Sequence, residues 1–405
     1  VRILKWISLV LAGLIVLALL GVLAIVWLVD PNSFKPRIEK AVKEASGRDF
    51  TLAGDIDLDF LPWLSLHTGE GHFGNAPGFG PDPLVSWRSA QLGAKLLPLL
   101  RGELVVDRVK LKGADLRLIR HADGTANWQG IGSTTPADPN APTRRVTVDG
   151  VDLADSHLSF VDEGVPRRIE VADLNLTTDE IAPDEPFTDT DVRGILHMEG
   201  FTPAGVPFRL KLPKVVLARD YSSVEVQEFA LNFGAFEGEG GLSGTFGEKP
   251  KLAGAIESND FDPRELLRSV GIEAPATTDA KALGRVHLKT SWAFDGGAIG
   301  IDPLSFTLDD THFTGNFHRA AGEDPVGDFA LRGDALNISR YIPPTDPASE
   351  PFVLPTAMLK SLKFRGVIEL EQATLDDIVM KGVTLRLLLD EQGLRSQPAP
   401  PAPKP

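Results

Sequence analysis

Residues 6–29, WISLVLAGLIVLALLGVLAIVWLV, form a run of 24 without a single charge, and nothing else in the chain restricts its fold as strongly. At about 1.5 Å per residue such a helix covers roughly 36 Å, against a hydrocarbon core of about 30 Å. Trp6 and Trp27 stand where aromatic residues meet the membrane interface. The run therefore predicts one N-terminal transmembrane helix, with everything after Asp30 hanging from one membrane face. A cleaved signal peptide is the competing reading, with Val22-Leu23-Ala24 as a loose cleavage site. Its apolar core ordinarily ends within about 15 residues, however, and this one continues to Val29. Orientation is less constrained. Arg2 and Lys5 precede the run, but Lys35, Arg37, Lys40 and Lys43 follow it closely, so a bare count of cations places the body in the cytoplasm. Long domains translocate largely regardless of charge, which leaves the other side open.

The body beyond Asp30 exceeds one typical domain, so two lobes or one elongated body are both compatible with its length. A net charge of −15 and a pI near 5.0 exclude a nucleic-acid partner, because phosphate binding needs a concentrated basic face. Zero cysteines remove thiol nucleophiles, thiolate metal sites and disulfides together.

Residues 32–47 read as a helix, with Asn32 or Ser33 as cap, Ile38, Ala41, Val42 and Ala45 on one face and Gly47 at the stop. Its other face carries Lys35, Arg37, Lys40 and Lys43, either simply solvated or set against anionic headgroups. From Phe50 the period changes from 3.6 to 2. Phe50, Leu52, Ile56, Leu58 and Phe60 alternate with Thr51, Ala53, Asp55, Asp57 and Asp59, as in a strand with one apolar and one wet face. Short pieces around Leu92, Ala94 and Leu96, around Leu116 and Leu118, and around Val146 to Leu153 repeat the pattern. Further strands read at 169–178, 224–233, 284–294, 327–338, 363–371 and 382–389. Helices are few: 262–271, with Asp262 as cap, and a weaker 354–362. The fold class is mainly β.

Stretches that imitate catalytic motifs fail on context. Gly69-Glu-Gly71-His-Phe-Gly74 fits G-x-G-x-x-G, but Asn75-Ala76-Pro77-Gly78 follows where a dinucleotide site needs a helix. Asp55, Asp57 and Asp59 open like a calcium loop, yet Phe60 and Leu66 occupy its glycine and glutamate positions. His67 and His72 read as pointing to opposite faces of one strand, and His312 with His318 lacks a third ligand. Ser243 misses the nucleophile elbow by one position. The reading is of a non-enzyme, with no catalytic, cofactor or metal residues.

Five ordered words follow the apolar run. They are Asp30-Pro31-Asn32, Ser46-Gly47-Arg48-Asp49, Asn75-Ala76-Pro77-Gly78-Phe79, Leu96-Leu97-Pro98-Leu99-Leu100-Arg101-Gly102-Glu103 and Asp123-Gly124-Thr125-Ala126-Asn127-Trp128. Together they resemble the AsmA family of Gram-negative envelope proteins. Ser339-Arg340-Tyr341-Ile342-Pro343-Pro344 is similar to that family's arginine-tyrosine-proline turn, whereas the chain departs from the family pattern after Leu389 by passing into a proline-rich tail. The resemblance implies an inner-membrane, single-pass protein with a periplasmic body, related to bridge-like lipid-transfer proteins with chorein-type N-termini. It implies a single transmembrane helix followed by an elongated, curved antiparallel sheet shaped as a trough. On that basis residues 1–30 are stub and anchor, 31–132 an N-terminal lobe, 133–145 a proline-rich linker, 146–395 a β-body and 396–405 a tail. The expected partners are phospholipid, the inner membrane and a periplasmic or outer-membrane protein. The expected role is support of outer-membrane biogenesis by carrying phospholipid; scaffolding or regulation of outer-membrane protein assembly is the alternative. Phe50, Leu52, Ile56, Leu58, Phe60, Leu92, Ala94, Leu96, Leu116 and Leu118 are the expected groove lining, and Lys35, Arg37, Lys40 and Lys43 the expected headgroup contacts. Alternation alone is equally compatible with an ordinary two-sheet sandwich core.

Overall fold

The computed structural model describes residues 30–59, 64–94, 105–106, 108–129, 147–164, 167–179, 186–199, 202–218, 222–247, 249–322, 325–344, 363–390 and 393–396. Residues 6–29, the linker, the 354–362 segment, Phe60, Leu96 and the tail lie outside them. Among the described residues no helix is long and apolar enough to cross a membrane.

A 3-10 turn at Pro31–Phe34 leads into α1 (Lys35–Ser46), which ends on Gly47 at φ 70°. Only glycine enters that conformation without strain, so the stop is local chemistry. The N-terminal cap differs from expectation. The Asp30 side chain accepts the Asn32 N–H at 2.9 Å, which frees Asn32 for the edge of the sheet.

Ten short strands follow, β1 (Phe50–Leu52), β2 (Ile56–Asp59), β3 (Leu64–Thr68), β4 (Gly71–Phe73), β5 (Val85–Trp87), β6 (Ser89–Ala94), β7 (Val105–Val106), β8 (Val109–Lys112), β9 (Asp115–Arg120) and β10 (Thr147–Val148), and then the long β11 (Val151–Asp162). The longer strands come next: β12 (Arg167–Thr178), β13 (Phe187–Met198), β14 (Thr202–Leu217), β15 (Ser223–Phe233), β16 (Phe236–Thr245) and β17 (Lys251–Ser258). Helix α2 (Pro263–Ser269) precedes β18 (Val286–Asp295), β19 (Ala298–Leu308), β20 (Thr311–Arg319) and β21 (Gly327–Asn337). The series closes with β22 (Phe364–Leu375), β23 (Ile378–Asp390) and β24 (Gly393–Ser396). All belong to one hydrogen-bonded sheet.

The early strands are halves of longer ones. β1 and β2 pair with β4 and β3, these with β5 and β6, and these with β9 and β8. β8 and β9 then both run along one edge of β11. The breaks stand side by side, because the Gly54 N–H reaches Glu70 O at 2.8 Å, Arg88 N–H reaches Lys112 O at 3.0 Å and Gly113 N–H reaches Ala154 O at 2.8 Å. Asp155 and Asp173, at φ 48° and 49°, continue the line into β11 and β12. Bulges bend strands, and bulges aligned across neighbours bend the sheet as a whole, so the first strands form two walls meeting at a crease. Gly54 is required there: a Cβ would sit 2.4 Å from Gly69 Cα.

The sheet is mixed rather than purely antiparallel. β11 is parallel to β8 and β9, β10 is parallel to β7, and β22 is parallel to β21. A parallel neighbour needs a long crossover instead of a hairpin, and the chain supplies one after Arg120 and another after Asn337. The crease also corrects the histidine reading. His67 lies opposite Asp57 and His72 opposite Thr51, both on the wet face, because the Gly69–Glu70 break resets the alternation.

The edge strand is protected. Leu52 N–H donates to Glu39 Oε1 at 2.9 Å and Ile56 N–H to Asn32 Oδ1 at 2.9 Å, so α1 occupies the free edge of β1 and the 3-10 turn before it that of β2.

Candidate functional site

Opposed residues in neighbouring strands share a face, so the register traces what each face carries. One row on the first wall runs Phe50, Phe73, Val85, Leu116, Leu158, Val171, Leu196 and Val206 across eight consecutive strand positions. On the second wall Leu58, Leu66 and Leu92 are opposed, and beside them Ala90, Leu111, Leu153, Leu176, Val192, Leu210 and Leu231 continue. Farther along, Val215, Val226, Leu242, Gly254, Trp292, Ile301, Phe317, Phe329, Gly366 and Leu387 make a third row. The opposite face is ionic, with cross-strand pairs such as Lys289–Glu257 at 2.6 Å, Lys251–Asp295 at 2.9 Å and Arg332–Glu369 at 3.0 Å.

The described strands form one hydrogen-bonded sheet, so no separate second sheet is available to cover the apolar face among the described residues. Most of its side chains are half-buried; only fifteen hydrophobic residues among those described are fully buried. Two closed clusters interrupt it, one around Val215, Val226 and Phe229 and the other around Phe313, Leu370 and Ala373.

Phe50, Leu58, Leu116 and Leu118 are half-buried on the apolar face, and Leu92 is 45% exposed. Leu52 and Ile56 occupy the same face but at 6% and 2% exposure pack beneath α1, so they are packing residues and not open lining. Ala94 is opposed to Leu64 at the end of β6. Of the four cations, Lys35 reaches Asp55 at 3.5 Å, Lys40 reaches Glu44 at 3.7 Å and Lys43 reaches Asp49 at 2.6 Å, while Arg37 lies over the Phe34 ring at 5.9 Å. Three of them are thus partly neutralised within the chain. The aromatic lining of β18 to β21, with Trp292, Phe317 and Phe329, was not singled out by the sequence reading. Period-2 alternation in those strands carried the signal.

A model of the AsmA family matches residues 1–244, more than half of the chain. The chain belongs to the AsmA family. A relative, Protein AsmA of Escherichia coli strain K12, is 22% identical over 342 residues, covering 83% of this chain and 48% of its own length. The chain therefore spans about half of that relative. No solved structure matches it.

Among the described residues, several of the words that carried the AsmA resemblance prove to be fasteners between strands and loops. Arg48, 6% exposed, donates through Nη1 to Asn127 O at 2.7 Å and through Nη2 to Gln129 O at 2.8 Å. Asn127, wholly buried, takes the Ile119 N–H at 3.0 Å and gives its amide to Arg117 O at 2.7 Å. Asn75 holds Phe79 O at 3.0 Å, and the Phe79 ring stacks on His121 at 4.2 Å. At the far end Arg340 reaches Asp279 at 2.7 Å and Asp310 at 2.8 Å, and the Tyr341 hydroxyl donates to Asp309 at 2.7 Å. Burial pushes the Asp309 carboxyl up, but the Tyr341 hydroxyl and the N–H groups of Gly284, Leu283 and Arg285 outweigh it, so its pKa falls below the usual range. Burial and the same carboxylate push the Tyr341 phenol up.

Proposed function

We propose that this chain is an inner-membrane-anchored envelope protein that supports outer-membrane biogenesis by carrying phospholipid along the apolar face of its sheet. The support is the succession of apolar cross-strand rows on a sheet with no separate second sheet over it among the described residues. Burying an acyl chain recovers about 0.8 kcal/mol per methylene, so a tail is held only where apolar lining is continuous. Carriage of this kind asks for no catalytic group. The fasteners at Arg48–Asn127 and Arg340–Tyr341 keep the face rigid without filling it.

The test uses the full chain, purified in mild detergent from cells that insert a photo-reactive amino acid at one site. Placed at Leu92 or Trp292, both on the apolar face, it should crosslink phospholipid identified by mass spectrometry. Placed at Ser243, on the ionic face, it should not. Absence of lipid from both apolar positions would sink the proposal and leave scaffolding of outer-membrane protein assembly.

A further inference from the structure

β20 alternates Phe313, Gly315, Phe317 and Arg319, which puts an arginine in a position of the apolar phase. Register fixes the placement: Arg319 is opposed by Ile299 on one side and by Gly327 on the other, in the row that also holds Phe294 and Phe364. Gly327 offers no side chain, and a Cβ there would already collide with the Phe317 ring at 2.6 Å. No carboxylate within ion-pair range and no hydrogen-bond acceptor meets the Arg319 guanidinium among the described residues. Arg120 makes the contrast. It too falls on the apolar face, at the opposite rim, and there Asp162 neutralises it. A cation that no anion meets among the described residues, set among aromatic and aliphatic side chains, calls for an anionic partner.

We infer that Arg319 is the headgroup site of this face, binding the phosphate of an anionic lipid whose tails lie on Ile299, Ile301 and Phe317. The inference rests on the lipid-carrying reading and names the substrate class for it. Arg319 is the last residue of its strand, so its guanidinium sits at the lip of the sheet, where a headgroup keeps contact with water while its tails do not. The planar guanidinium suits two phosphate oxygens at once. Ile299 and Phe317 flank the position on the apolar side and supply the surface for the tails.

The test loads the detergent-solubilised full chain from vesicles containing fluorescent phosphatidylglycerol or fluorescent diacylglycerol, which differ in the phosphate. The wild type should retain the phospholipid roughly tenfold better, the scale of one charge-assisted hydrogen bond. Arg319→Ala should reduce that ratio to about one while leaving diacylglycerol retention and the melting curve unchanged, and Arg319→Lys should keep part of it. Excess inorganic phosphate should not displace the lipid; displacement would mean a free-phosphate site and overturn the inference. Equal retention of both lipids by the wild type, an unchanged ratio in Arg319→Ala, or equal loss of both lipids in that variant would also overturn it. Retention of neither lipid by the wild type would instead overturn the lipid-carrying reading beneath it.

Discussion

His121 joins three pieces of chain at one rim: it follows β9 directly, stacks on Phe79 of the loop after β4, and places Nδ1 2.7 Å from Glu163 Oε2 in the turn after β11. The hydrogen bond its ring N–H donates to Glu163 holds its imidazole above the ordinary value, against a smaller opposing effect of desolvation. A raised histidine pKa contributes stability that is complete below about pH 6.5 and disappears as pH rises through the folded value. The fastening of the Asn75–Phe79 loop should therefore loosen as pH rises through the raised folded-state value. An NMR titration of the His121 ring checks this. Glu163→Gln should return its midpoint to the ordinary value and erase the pH dependence of amide exchange at Phe79; an unchanged midpoint would show that Glu163 is not the partner in solution. The sequence made both residues visible but not their meeting, since they lie 42 positions apart.

Element by element, two of the strands absent from the sequence reading are poor in the residues that favour strands. β16, FEGEGGLSGT, and β17, KLAGAIES, have too few β-branched or aromatic residues to announce themselves, and glycine ordinarily weakens a strand. The register gives the reason for them: Gly254 lies opposite Trp292, and a Cβ on it would come within 2.9 Å of the indole and 2.6 Å of Gly241 O. The ring lies down over the bare backbone, and small faces large along the row. Gly254→Val should therefore destabilise the sheet by about 1–3 kcal/mol, the usual cost of overpacking. Chemical denaturation of the variant beside wild type measures it, and no change in midpoint would mean that the ring stands clear of the sheet. By contrast α1 and α2 were readable in place, because Gly47 and the Asp262 cap, which accepts the Arg264 and Glu265 N–H groups, act within a few residues.

For the molecule as a whole, the question is whether the apolar face is a core or a surface, and two positions on it answer differently. Ile56 is 2% exposed beneath α1, and Leu92 is 45% exposed on the same wall. Ile56→Asp should cost more than about 3 kcal/mol, since a lone carboxylate has no partner under the helix. Leu92→Asp should melt as wild type and yet lose phospholipid crosslinking at position 292, because a charge on the route interrupts the apolar path. Thermal melts of the two variants, with the crosslink as second readout, separate them. A collapsed melt for Leu92→Asp would make that wall a closed core.

Sequence by itself determined the elements governed by nearby residues: the strand class from period-2 alternation, the helix stop at Gly47, the cap at Asp262 and the words that mark the AsmA family. Only the tertiary structure decided that one sheet carries all the described strands, that two junctions in it run parallel, and that Leu52 and Ile56 lie under α1 while Leu92 stays open. The physical reason is range. Alternation records which face of a strand is apolar, but what covers that face depends on pairings between residues tens of positions apart, which no local pattern encodes.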